Sequence, residues 1–232
     1  MQVIHNILAF SEVWALLIPL YFMLRWRNQP GYMKPVKFYI WLALLINIQI
    51  ILIYFFRKKW DAPFWFESNN HLYNLHSLVR FLSFALFFLM LRQAFLRPLK
   101  IAAVVLFIIF TIVNFAYYEN YFDFWSFSGR LLSIEAGVLL LFCLQYYFFI
   151  LRDDTHSTDR PPSFWVVTGL SIYVVVNFPI FLFYKAMLKQ FEDFAIDIWD
   201  VHNISYVIFC IFLARAFYES GRSRRNPQNT TT

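Results

Sequence analysis

The chain has 232 residues, of which 60% are hydrophobic, 22% aromatic and only 15% charged. A soluble domain contains about 45–50% apolar and about 25% charged residues, so this composition indicates an integral membrane protein. The formal net charge is +6, but the basic residues lie in short loops between apolar runs. No basic patch interleaved with aromatic residues remains to bind nucleic acid.

Seven apolar runs are long enough to cross a membrane, which takes about 20 residues. They cover residues 7–25, 35–56, 70–92, 99–118, 127–151, 163–187 and 196–218. The first run has no basic region before it and no small-residue cleavage site, so we expect a retained span instead of a signal peptide. The sequence therefore predicts an all-α membrane protein. We expect residues 1–219 to form a seven-transmembrane-helix bundle and residues 220–232 to form a disordered cytoplasmic tail.

Lysine and arginine are distributed unequally between the two sides of this predicted bundle. The side of the first, third and fifth loops and of the C-terminus carries Arg25, Arg27, Lys34, Lys37, Arg92, Arg97, Lys100, Arg152, Arg160, Arg215, Arg222, Arg224 and Arg225. The other side carries only Arg57, Lys58, Lys59, Lys185 and Lys189. Because cytoplasmic loops are enriched in these residues, the C-terminus is predicted to be cytoplasmic and the N-terminus outside.

Polar side chains within the predicted spans gather toward the outer side, whereas the inner halves of the spans are nearly free of charge. A charged group in a span is costly and usually faces the bundle interior or a wet cavity. Tyr73, His76 and Arg80 are spaced to share one helix face. The sequence therefore predicts an outward-facing polar pocket formed by Glu12, Tyr73, His76, Arg80, Arg130, Glu135, Asn177, Asp200, His202 and Asn203.

Three interpretations of this pocket stay open. The first is a structural network in which Arg80 and Arg130 pair with carboxylates of other spans. The second is a site for a small polar ligand or for protons, to which the histidines could respond because the unperturbed pKa of histidine lies near neutral pH. The third is a metal site, with zinc as the candidate, for which the two-histidine, one-carboxylate set is His76, Glu135 and His202.

Two known classes of seven-span protein match poorly. Microbial rhodopsins hold retinal on a lysine in the last span, and 196–218 contains no lysine, so retinal is excluded. Membrane hydrolases of the ceramidase and adiponectin-receptor type carry two histidines four residues apart in the last span, where this chain has only His202. No phosphate loop, nucleophile elbow or Cys-x-x-Cys motif is present. Cys143 and Cys210 lie singly in apolar runs and are expected to be buried small hydrophobic residues.

Four short motifs open or lie within the later spans and carry a resemblance that extends over the length of the membrane domain. They are Asn70–Tyr73, Gly129–Ser133 with Glu135, Ser163–Gly169 with Tyr173, and Trp199–Asn203. The chain resembles in these motifs a set of small, uncharacterised seven-span bacterial membrane proteins. In similar proteins the acidic residue follows the arginine more closely than Glu135 follows Arg130. The resemblance implies a sensor-like membrane module that works with a signalling kinase.

The preferred hypothesis is a sensor- or receptor-like protein of a bacterial inner membrane. Its pocket would bind a small polar ligand or protons, and it would signal through a separate cytoplasmic partner. One alternative is a metal-dependent intramembrane hydrolase that uses His76, Glu135 and His202. Another is a small-solute or proton-coupled transporter, which the apolar inner halves of the spans argue against.

Overall fold

The computed structural model describes residues 2–26, 28–59, 68–91, 96–123, 127–152 and 160–225, and these residues are helical apart from short connections. The helices are α1 (Gln2–Ala9), α2 (Ser11–Arg25), α3 (Lys34–Lys59), α4 (Asn70–Met90), α5 (Arg97–Val113), α6 (Gly129–Arg152), α7 (Pro162–Gln190) and α8 (Glu192–Arg225). A 3₁₀ turn precedes α3, and a π-helical turn continues α5 to Tyr118. The prediction of an all-α chain is confirmed.

Six stretches within the described residues are long and apolar enough to cross a membrane: Gly31–Phe56, Asn70–Met90, Arg97–Tyr118, Gly129–Arg152, Pro162–Gln190 and Asp193–Arg222. The first predicted span is instead divided at Phe10 into α1 and α2. α2 has 15 residues, which span roughly 22 Å, less than the ~30 Å of a hydrocarbon core. The Trp14 indole N–H of α2 donates to the Ile7 carbonyl of α1 at 3.0 Å. This hydrogen bond satisfies a backbone carbonyl next to the break between the two helices. The structure therefore confirms six of the seven predicted spans as helices of sufficient length.

Six helices form a closed ring in the order α2, α3, α4, α6, α7 and α8, and α8 packs back against α2. α5 lies outside this ring, against α4 and α6. Large apolar side chains cover the outer faces of the helices, including Leu17, Leu45, Leu141 and Phe148. Such an extensive apolar exterior belongs to a membrane-embedded protein, because water would not tolerate it and lipid would.

α7 and α8 pack closely against each other within the ring. A Cβ atom added to Gly169 would lie 2.5 Å from the Cβ of Phe212, so only glycine allows α7 this near to α8. A single residue, Phe191, separates the two helices. They therefore form a hairpin that holds Asn177 of α7 beside His202 of α8.

α8 continues through Arg225, so the first part of the tail predicted to be disordered is helical. The reason is packing: Gly221 is buried, and a Cβ there would lie 2.5 Å from the Trp26 ring. Residues 226–232 of the predicted tail lie outside the described residues. Cys143 and Cys210 are both fully buried, as predicted, and both are free thiols.

Candidate functional site

The N-termini of α4, α6 and α8 and the C-terminus of α7 meet at one end of the ring, called the upper end below. Asn74 of α4 donates from its amide to the Tyr121 carbonyl at 3.1 Å and accepts from the Ser128 backbone N–H at 2.8 Å. The Ser128 hydroxyl in turn accepts from the Leu131 N–H at 3.0 Å, which caps the start of α6. Partial burial raises the pKa of Tyr121 above its usual value, so this loop side chain is neutral. The hydrogen bonds of Asn74 and Ser128 fix α4 and α6 relative to each other.

Arg80 of α4 and Glu135 of α6 form an ion pair inside the ring. Arg80 Nε lies 2.5 Å from Glu135 Oε1, and Nη2 lies 2.7 Å from Oε2. The Ser77 hydroxyl donates to Oε2 at 2.5 Å, and Arg80 Nη1 donates to the Tyr173 hydroxyl at 2.7 Å. The paired side chains are only 5% and 1% exposed. The predicted pairing of Arg80 with a carboxylate is confirmed, and both carboxylate oxygens of Glu135 are occupied.

A second polar network joins α2, α7 and α8 around His202. His202 Nδ1 lies 2.5 Å from Asn177 Oδ1, and Nε2 lies 3.2 Å from Glu12 Oε1. The Asn177 amide donates to the Ser205 hydroxyl and to the Tyr173 carbonyl, each at 2.7 Å. Because Asn177 Oδ1 only accepts, His202 Nδ1 carries a hydrogen. The contact between Nε2 and Glu12 Oε1 then joins α8 to α2.

His76 lies apart from the carboxylates, among tyrosine rings of α3 and α8. Its Nε2 is 3.4 Å from the Tyr39 hydroxyl, which is also 3.4 Å from the Tyr206 hydroxyl. The Tyr39 and His76 rings stack with centroids 5.9 Å apart. His76 therefore contributes to aromatic packing across the ring more than to an ionic cluster.

Besides His76 and Tyr73, three further predicted site residues lie outside both networks. Arg130 is 60% exposed, and its Nε is 3.9 Å from Glu119 Oε1, because its place at the start of α6 lets the side chain reach the surface. Asp200 faces α1, where its Oδ2 is 2.9 Å from His5 Nδ1. Asn203 is buried and makes no side-chain hydrogen bond to another described residue. The structure thus does not bring Arg130 or Asp200 to Arg80 and Glu135.

A cavity of about 250 Å³ opens at the upper end between α4, α6, α7 and α8. Tyr73 is the predicted site residue that lines it. The other aromatic lining residues are Phe127, Phe181, Tyr184 and Trp199. Tyr184 and Trp199 have ring centroids 4.9 Å apart, and Phe127 lies 5.3 Å from Tyr184 and 5.6 Å from Trp199.

Trp199 connects this cavity to the polar network beneath it. Its ring centroid lies 4.5 Å from that of His202, with the two planes tilted by 31°. Phe181, which also lines the cavity, has its centroid 5.5 Å from His202. The lining of the cavity is therefore in direct ring contact with the histidine that joins α2, α7 and α8.

The three candidate metal ligands are held by different partners. Glu135 is bound to Arg80, His76 faces Tyr39, and His202 lies between Asn177 and Glu12. Among the described residues, no three His, Cys, Asp or Glu side chains gather so that they could hold a metal ion. The set of His76, Glu135 and His202 is thus not assembled as a metal site in this structure.

Sequence reasoning missed several residues of both networks. Ser77 lies three residues before Arg80 and Tyr173 four before Asn177, so helical spacing placed each on the face of a predicted site residue. The aromatic cavity gave no comparable signal, because 22% of the chain is aromatic and any helix face carries such rings. His5 lies before the first predicted span and was not considered as a partner of Asp200.

Comparison of the chain with protein-family models, with curated proteins and with solved structures finds no match. No family is therefore assigned, and function has to be inferred from the contacts described above.

Proposed function

We propose that the chain is a sensor-like integral membrane protein. A small ligand enters the cavity at the upper end, and the polar network beneath the cavity responds to it. In this proposal the upper end faces the outside of a bacterial inner membrane, α2 with α1 makes a seventh crossing, and the C-terminus is cytoplasmic. The signal leaves through a separate cytoplasmic protein that contacts the basic lower loops and the end of α8.

One observation supports this proposal above the others: the 4.5 Å ring contact between Trp199 and His202. A ligand that displaces Trp199 also moves His202, because the two rings touch. His202 is bonded to Asn177 of α7 and to Glu12 of α2, so its movement acts on three helices of the ring at once. A ligand shifts such an equilibrium only if it binds one arrangement of the helices better than another.

The lower half of the ring favours a sensor over a transporter. Its interior is filled by aromatic side chains with no more than 3% exposure: Phe84, Phe87, Phe88, Phe142, Phe209 and Phe217. Protein interiors are close-packed, so such a layer leaves no route for a solute. A transporter would need to rearrange this whole layer, whereas a sensor needs only to shift helices.

The proposal can be tested by measuring a distance between the lower ends of α2 and α8. Leu24→Cys and Arg222→Cys provide exposed positions for spin labels, and the two native cysteines are fully buried. The labelled protein in lipid nanodiscs is exposed to a panel of amino acids, short carboxylic acids, quaternary amines and sugars, and to steps of pH. We expect at least one condition to change the distance between the labels.

Two variants separate binding from response. Trp199→Ala should abolish both binding of the active solute and the distance change, whereas the lipid-facing Trp41→Ala should alter neither. His202→Gln should preserve binding but remove the distance change. The sensor proposal fails if no condition in the panel changes the distance, or if His202→Gln responds as the unmodified protein does.

A further inference from the structure

We propose that the cavity at the upper end binds a small organic anion, namely a carboxylate or similar anionic group attached to one aromatic or compact apolar body. This inference rests on the proposed function, because it names the chemical class of ligand for the same cavity. Three observations support the inference: the volume of the cavity, the charge of its lining residues, and lining hydrogen-bond donors that have no partner among the described residues.

The size and walls of the cavity suit one flat ring with a short substituent. Its volume is about 250 Å³, and an apolar cavity of ~150 Å³ already accommodates benzene. Tyr184, Trp199 and Phe127 are in mutual ring contact along its wall. Rings in this arrangement offer faces and edges against which another aromatic or apolar group packs well.

The charge of the lining is positive. Lys185 of α7 is the charged residue among the described lining residues, and it forms no ion pair within the described part of the chain. Two carboxylates lie near this end but do not line the cavity: Asp200 Oδ2 contacts His5, and Glu119 Oε2 accepts hydrogen bonds from Asn114 and Ser128. Aromatic walls alone would also suit a quaternary ammonium ligand, but an unpaired lysine at the same cavity repels a cation and attracts an anion.

The uncharged polar groups of the lining lead to the same class of ligand. The Trp199 indole N–H and the hydroxyls of Tyr73 and Tyr184 make no hydrogen bond to any other described residue. An indole N–H only donates, and a phenolic hydroxyl donates readily. A carboxylate only accepts, so it can satisfy several of these donors together with Lys185, and such charge-assisted hydrogen bonds are the stronger ones.

Three probes of one shape and different charge test this inference on the full chain in lipid nanodiscs. They are 3-phenylpropionate, its neutral amide and the phenethyltrimethylammonium cation, with affinities measured by equilibrium dialysis. Losing one charged hydrogen-bond partner commonly weakens binding by about tenfold or more. We therefore expect the acid to bind about tenfold more tightly than the amide, and the cation to bind least.

Variants of two lysines on α7 test whether the preference for the acid over the amide depends on Lys185. Lys185→Met should reduce the affinity for the acid to that for the amide, and Lys185→Arg should retain the preference. Lys189→Met is the matched control, because Lys189 is also exposed, lies one turn further along α7 and does not line the cavity. It should bind all three probes as the unmodified protein does.

Several outcomes overturn the inference. Equal affinities for the acid and the amide would do so, as would a preference that survives in Lys185→Met. Failure of the acid to bind would also overturn the inference. The sensor proposal would then be tested separately, by whether another solute of the panel changes the distance between the spin labels. If the amide or the cation binds best and Trp199→Ala abolishes that binding, the cavity remains a ligand site but the anionic class is wrong.

Discussion

At the scale of single residues, the two arginines of the predicted spans differ in burial, and this difference distinguishes a structural residue from a surface residue. Arg80 is 5% exposed and has bonds to Glu135 and Tyr173, whereas Arg130 is 60% exposed. The charge on Arg80 is tolerated because every bond it makes lies inside the ring. Arg80 therefore contributes to the stability of the fold, and the ligand site that we propose is formed by residues of the upper cavity instead.

Removing Arg80 should strongly destabilise the protein. Arg80→Ala leaves Glu135 buried without its partner, and breaking a buried pair in this way costs about 3 kcal/mol or more. Arg130→Ala is the control, since a surface substitution usually changes stability by less than about 0.5 kcal/mol. Unfolding in detergent, followed by circular dichroism, gives both values.

A double variant tests the same ion pair by replacing both of its residues. Arg80→Met combined with Glu135→Leu removes both charges, so it should be more stable than Arg80→Ala alone. If Arg80→Ala melts at the temperature of Arg130→Ala, the ion pair contributes little and this interpretation is wrong.

At the scale of helices, the contact between α7 and α8 sets the positions of Asn177 and His202. This contact depends on Gly169, which lies where Phe212 approaches the backbone of α7. Asn177 also satisfies the Tyr173 carbonyl and Ser205, so it links two turns of α7 to α8. A small shift of either helix would change the geometry around His202.

Gly169→Ala should destabilise the bundle in spite of the higher helix propensity of alanine. The added Cβ would lie 2.5 Å from Phe212 Cβ, which belongs to the rigid base of that side chain. Overpacking of this kind costs about 1–3 kcal/mol. Thermal unfolding in detergent should show a lower midpoint for this variant.

Gly137→Ala is the matched control, because the nearest atom to its added Cβ is a Phe178 ring carbon at an ordinary 3.4 Å. It should be neutral or slightly stabilising. Equal midpoints for the two alanine variants would show that the close approach at Gly169 is not needed.

The sequence allowed the helices to be predicted, but only part of the candidate site. Long apolar runs identify spans by length, and a polar or charged residue inside a span stands out against them, which is why Arg80, Glu135, Asn177 and His202 were found. The pairing of a given arginine with a given carboxylate depends on which helices pack against each other. Residue spacing within one helix does not predict that packing. The break at Phe10 was missed because the polar pair Ser11–Glu12 that follows it is short and the next residues are apolar again, as in a continuous span.

At the scale of the whole molecule, the ring and its polar upper half imply a definite placement in the membrane. The excess of basic residues lies on the lower side, and the cavity opens on the other. We therefore expect the C-terminus to be cytoplasmic and the N-terminus outside. The short α2, together with α1, would then complete the seventh crossing.

Reporter fusions and cysteine labelling test this topology. A green fluorescent protein fused after Thr232 should fluoresce in cells, and alkaline phosphatase at the same point should be inactive. A cysteine introduced at Gln2 should react in intact spheroplasts with a maleimide that cannot cross the inner membrane. Active phosphatase at the C-terminus would reverse the orientation, and a protected cysteine at Gln2 with a fluorescent C-terminus would reduce the crossings to six.

The pairing of Arg80 with Glu135 also has a consequence for biosynthesis. The two residues are 55 positions apart, so at a translation rate of ~5–20 residues per second the arginine is made roughly 3–11 s before its partner. During that interval α4 carries a cation that lipid alone would not accept. The insertion machinery must keep α4 near water or protein until α6 arrives. Slower elongation between the two helices should therefore increase degradation of the nascent chain.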